Sequence, residues 1–135
     1  MRKPIRVGRE GRASGKFARQ QDAMWDAILQ NVPPDRHPHA FNNLVRAVKH
    51  GQESTAQQRQ LVLELLSEVR GRLRAVLYFY FGLWDGISIR LNVTAVFFDV
   101  NSTQMRELRY KALYRLSQAL WWREQLTQWD QEEDL

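Results

Sequence analysis

The stretch Leu91-Asn-Val-Thr-Ala-Val-Phe-Phe-Asp-Val-Asn-Ser-Thr-Gln-Met-Arg-Glu-Leu-Arg-Tyr-Lys-Ala-Leu-Tyr-Arg-Leu116 decides how the rest of the chain is read. It divides into two helical runs around a corner at Asp99 and Val100, with Asn101 as the N-cap of the second run. An Asn side chain there accepts from the backbone N–H of Thr103 or Gln104, and Gln104 stands where the reciprocal half of a capping box belongs. Ala95 offers a small side chain where the two runs would cross. Beyond the corner, Met105, Leu108, Ala112, Leu113 and Leu116 recur at helical spacing and form one apolar side. Arg106, Arg109, Lys111 and Arg115 are expected on the other side, a basic surface suited to phosphates.

Working outward, the chain has 135 residues, enough for one compact domain with a real core. No run approaches the roughly 18 uncharged apolar residues that a membrane span needs, and the basic start lacks the apolar segment of a secretory signal. A cytosolic location is expected. There is no cysteine, which excludes disulfides and thiolate metal sites. The net charge of +5 is unevenly spread: residues 1–20 carry +6, 21–68 carry −2, 69–116 carry +5 and 117–135 carry −4. Nucleic-acid contact is expected in the two basic blocks.

Residues 1–20 combine Gly, Ser, Pro and spaced bases with little apolar area, which predicts a basic flexible arm. Phe17 to Gln30 predicts a first helix, ended by Val32-Pro33-Pro34 because proline removes a donor and clashes with a continuing turn. His37 and His39 flank Pro38 in a loop, without the cysteines or clustered carboxylates that would complete a metal site. Ala40, Leu44, Val45 and Val48 predict a second helix that ends near His50-Gly51. A third starts at Ser54 and runs to about Val69, with Leu61, Leu65 and Leu66 inward. Val76 to Trp84 has high strand propensity and no clear period. Ser117 to Trp129 extends the last helix, and its Trp residues are expected to be core anchors against the N-terminal helices. The tail from Asp130 is acidic. No Gly-rich loop, nucleophile–base pair or cofactor motif is visible, so an enzyme is not expected and no cofactor is implied.

From Val69 to Leu116 the chain resembles region four of bacterial sigma factors of the sigma-70 family, a helix-turn-helix module. Val69, Arg72, Val76, Leu77, Phe81, Gly82 and Leu83 match its first half. Leu91, Ala95, Phe98, Asp99, Val100, Met105, Arg106, Leu108, Lys111, Ala112, Leu113 and Leu116 match its second. The resemblance implies helix, not strand, over Val76 to Phe81. It therefore implies an all-α fold, with N-terminal helices over 21–68, a sigma-like helix-turn-helix over 69–116, and a helical extension with an acidic tail over 117–135. It also implies binding to the β flap of bacterial RNA polymerase, with Val76, Leu77, Phe81, Leu113 and Leu116 forming or supporting an apolar concavity. Promoter −35-like DNA would lie nearest Ser102, Thr103, Gln104, Arg106, Arg109 and Lys111.

The departures matter as much. Ser102, Thr103 and Gln104 stand where the family places its base-reading Arg-Glu-Arg, and Tyr80 replaces an arginine near the DNA backbone. Val93, Val96 and Phe97 fall where the family is polar, and Tyr78 joins them on the preceding helix. The expected function is a transcription regulator of phage type that contacts polymerase and promoter DNA together. The alternative is a protein-interaction module of co-activator, anti-sigma or antitermination type. It would bind polymerase or a host sigma factor through Tyr78, Tyr80, Val93, Val96 and Phe97 without reading DNA. A third arrangement has those residues packing on the Trp25 helix of the same chain.

Overall fold

The computed structural model describes residues 11–133, and side-chain surroundings for residues 19–132. Among the described residues the chain is all-helical: α1 Gly11–Leu29, α2 Pro38–Val48, α3 Ala56–Leu66, α4 Arg72–Phe81, α5 Leu91–Phe98 and α6 Ser102–Glu133. No helix is long and apolar enough to cross a membrane. The first ten residues of the expected arm lie outside the described residues. Its second half belongs to α1, which starts at Gly11 and not at Phe17. Ala13, Lys16, Ala18 and Arg19 are good helix formers, and propagation from the anchored turns beyond them costs little per residue.

Local chemistry sets most boundaries. Pro38 occupies the first turn of α2, where its missing N–H costs nothing. Thr55 and Gln58 form a capping box at the start of α3, with bonds of 3.1 and 3.3 Å. The inward residues of α3 are Val62, Leu65 and Leu66; Leu61, expected among them, is only partly buried. The aromatic run of Val76 to Phe81 is helical. Gly82 ends α4 in the left-handed conformation, and the Leu83 N–H returns 2.9 Å to the Tyr78 carbonyl. A Cβ at Gly82 would meet the backbone of Ile87 at 2.8 Å, so only glycine fits the turn.

Helices from every expected segment share one core. Leu29, Leu44, Val45, Val62, Leu66, Ala75, Val76, Leu77, Ala95, Phe98, Met105, Ala112, Leu116 and Leu120 are all buried in it. Burying each such large aliphatic side chain contributes about 1.5–3 kcal/mol before chain entropy is counted. Trp25 packs α1 onto α4 and α5, its ring 5.4 Å from Phe79 and 5.2 Å from Phe98. The carboxylates of α1 do a second job. Asp26 accepts from the Gly71 N–H at 2.6 Å and Asp22 from the Arg72 N–H at 3.0 Å, which satisfies the start of α4. The loop before α2 is tied down as well: His37 Nε2 donates to the Trp84 carbonyl at 3.2 Å, while His39 is exposed.

Tyr78 belongs to this interior. Its side chain is fully buried, its hydroxyl donates to the Val32 carbonyl, and Arg74 donates to the phenol oxygen at 3.3 Å. Burial pushes the phenol up from its ordinary 10.0, with Arg74 pulling the other way. Tyr78 therefore cannot serve as part of an exposed interface. It packs against Val32, just beyond α1, whereas Val93, Val96 and Phe97, which the third arrangement also turns inward, are exposed.

Candidate functional site

The corner between α5 and α6 is built locally. Asp99 takes the left-handed conformation that ends α5, at φ 54°, and Val100 tucks its N–H onto the Ala95 carbonyl at 3.1 Å. Asn101 Oδ1 accepts from the Gln104 N–H at 2.8 Å, and Gln104 Oε1 accepts from the Asn101 N–H at 3.0 Å. Ala95 and Met105 are buried where the helices meet. The first turn of α6 then presents Ser102, Thr103 and Arg106 to solvent, with no acid in that turn. A helix N-terminus carries partial positive charge and favours anions.

The cap changes one assignment. A glutamine reading adenine needs its carbonyl and its amide nitrogen together, and the Gln104 carbonyl is held by Asn101. Gln104 is therefore a helix-start residue that could read a base in bidentate fashion only by giving up the cap.

The basic residues of α6 do not share one face. At 100° per residue, Arg106 and Lys111 lie roughly 140° apart around the helix. Arg106 and Arg109 border a cleft against α4 and α2, whereas Lys111 and Arg115 border another groove against α3 and α4. Four bases spread over so wide an arc cannot all meet one phosphate backbone, so Lys111 leaves the DNA-facing set.

The first cleft gathers residues from three separate expectations. It measures about 690 Å³ and is lined by Ala47, Tyr80, Phe81, Arg106, Glu107, Arg109, Tyr110 and Leu113. Phe81 and Leu113, expected to meet polymerase, are half-buried and accessible from it. Val76, Leu77 and Leu116, named with them as forming or supporting the concavity, are buried in the core and do not line the cleft. Tyr80 forms part of the wall: the Arg109 guanidinium lies over its ring at 4.6 Å and its edge meets Phe81 at 5.0 Å. That cation–π contact holds Arg109 at the rim, half-buried.

A second exposed surface lies on α5. Val93, Val96 and Phe97 are exposed, Val96 at 76%. Phe97 also stacks on Phe79 at 5.4 Å, which fixes its ring while leaving half of it in solvent. The tryptophans of α6 overturn another expectation. Trp121, Trp122 and Trp129 are about half exposed, and Leu120 is the residue of that segment that enters the core. The helical period explains it: Leu120 continues the buried row of Met105, Ala112 and Leu116, and Trp121 and Trp122 fall to either side of the opposite face.

No protein-family model, curated protein or solved structure matches this chain.

Proposed function

We propose that this chain is a transcription regulator that docks on bacterial RNA polymerase through the Phe81–Leu113 cleft. It contacts promoter −35-like DNA through the first turn of α6. The observation that carries the reading is the adjacency of an apolar floor, formed by Phe81 and Leu113, and a rim on which Arg106 and Arg109 outnumber the one acid, Glu107. An apolar protein element and a phosphate backbone can be engaged there side by side. Ser102, Thr103 and Arg106 are the residues offered to the groove, with Arg109 available to phosphate.

Two substitutions test it. Ala47→Glu puts a carboxylate at the mouth of the cleft without removing core volume, since Ala47 is exposed on α2. It should abolish recovery of core polymerase from bacterial lysate by the purified protein. Arg106→Ala should cost about 1 kcal/mol or more in affinity for a selected promoter fragment while polymerase recovery persists. Unchanged polymerase recovery with Ala47→Glu would sink the docking assignment.

The second reading, a protein-interaction module that binds polymerase or a host sigma factor without reading DNA, is favoured by a separate observation. Gln104 is engaged in its cap while Val93, Val96 and Phe97 stand exposed on α5. Under that reading Val96→Asp removes partner capture and Arg106→Ala is silent.

A further inference from the structure

Among the described residues, the outer face of α6 is left largely open to solvent. Helix α6 has 32 residues, about 48 Å of helix at 1.5 Å per residue, and its core contacts end at Leu120. Its outward residues include Tyr114, Trp121, Trp122 and Trp129, each about half exposed. Exposed large aromatics scattered singly need no explanation, but a continuous row of them marks an interface. Lys111, Tyr114, Gln118, Trp121, Trp129 and Glu132 lie on one stripe at steps of three or four residues, with Gln125 between the last two tryptophans. Residues three and four apart are neighbours on a helix surface.

This stripe is its own complement when read backwards. Laid antiparallel on a second copy, Trp121 and Trp122 meet at the two-fold axis and Gln118 falls opposite Gln125. Tyr114 falls opposite Trp129, and Lys111 opposite Glu132. Such a self-complementary patch is what an isologous dimer requires. The charges select the same partner. Residues 102–116 carry +3 and residues 117–133 carry −3. Among the described ion pairs Glu124 is held by Lys49 and Arg123 by Glu64 and Glu68, while Asp130, Glu132 and Lys111 enter none. That distribution opposes the helix macrodipole, with bases near the positive end and acids near the negative end. An antiparallel neighbour offers acids to the bases and a dipole of opposite direction, and relieves both. An anionic membrane or a nucleic acid would meet the acidic half unfavourably, and a parallel copy would set Lys111 against Lys111.

We infer that the outer face of α6 binds a second copy of this chain, antiparallel, through the Tyr114–Trp121–Trp122–Trp129 stripe with Lys111 paired to Glu132 at each end. The surface lies apart from Ser102, Arg106 and Arg109, so the inference stands whether or not the chain binds polymerase or DNA. Sedimentation equilibrium of the full chain from low micromolar to about 0.1 mM should give a dimer. Lys111→Glu and Glu132→Lys should each weaken the dimer by about tenfold or more, and the two together should restore it. Trp122→Ser should leave helix content unchanged and abolish association. A monomer at every concentration, or a dimer indifferent to both charge reversals, overturns the inference.

Discussion

Two helix starts in this molecule solve the same problem in opposite ways. Two N–H groups at the opening of α4, those of Arg72 and Gly71, bond to Asp22 and Asp26, carried on α1 and separated from them by 50 and 45 residues. At the opening of α6 the N–H groups of Gln104 and Asn101 bond to each other's side chains, within three residues. The first start is thereby closed by its own fold, its positive end already facing two carboxylates. The second is left open, its cap lying flat while Ser102, Thr103 and Arg106 point outward. A helix start that caps itself is free to meet an anion; one capped by another helix is a joint.

The largest test of this contrast is Gly71→Ala. Gly71 has φ 64°, and a Cβ there would drive into the Asp22 side chain. Backbone strain and the displacement of α1 together should cost about 3 kcal/mol or more, read as a fall in the urea midpoint. Asp26→Ala comes next. It leaves the Gly71 N–H without its 2.6 Å acceptor and should cost about 2 kcal/mol, because the joint between α1 and α4 loosens together with the cap. A comparable loss at both starts would erase the distinction.

The joint also has a pH signature. The Tyr78 phenol is raised in the folded state, so the folded form holds its proton where the unfolded form has lost it. Its contribution is complete below the ordinary 10.0 and fades as pH climbs beyond that value. Tyr78→Phe should cost about 1 kcal/mol at neutral pH and flatten the alkaline limb of a thermal-unfolding series. A limb unchanged in the variant would mean another group sets it.

At the open start, Asn101→Ala should cost about 1 kcal/mol, the usual worth of an N-cap, and fray the first turn of α6 without touching α1. Amide exchange confined to residues 102–105 would report this. Smallest of all, Arg106→Ala should change stability by less than about 0.5 kcal/mol, since its side chain is exposed. A large loss of stability there would mean that Arg106 supports the fold and is not held out for a ligand.

These differences follow the reach of each interaction along the chain. The corner at Asp99–Val100 and the cap at Asn101 were readable because every partner lies within a few residues. The buried row of Met105, Ala112 and Leu116 was readable because helical period alone puts those residues on one side. The aromatic run before Gly82 was not readable from propensity, since Tyr and Phe favour strands locally. Its packing on Trp25 and the close of the turn at Gly82 belong to the helical solution. The candidate site was legible residue by residue, whereas its grouping was not. Tyr78, Val76, Leu77 and Leu116 went inward, Lys111 went to the far flank, and Tyr80, Phe81, Leu113, Arg106 and Arg109 converged.

By itself, then, the order of residues determined where α6 starts, where the chain turns at Asp99–Val100, and which side of α6 is apolar, because hydrogen bonds and periodicity act over three or four positions. Only the tertiary structure decided that Asp22 and Asp26 close α4, that Tyr78 is interior, and that the tryptophans of α6 stand outside the core. Those outcomes depend on which helix faces meet, and the faces that meet are drawn from segments some 50 residues apart.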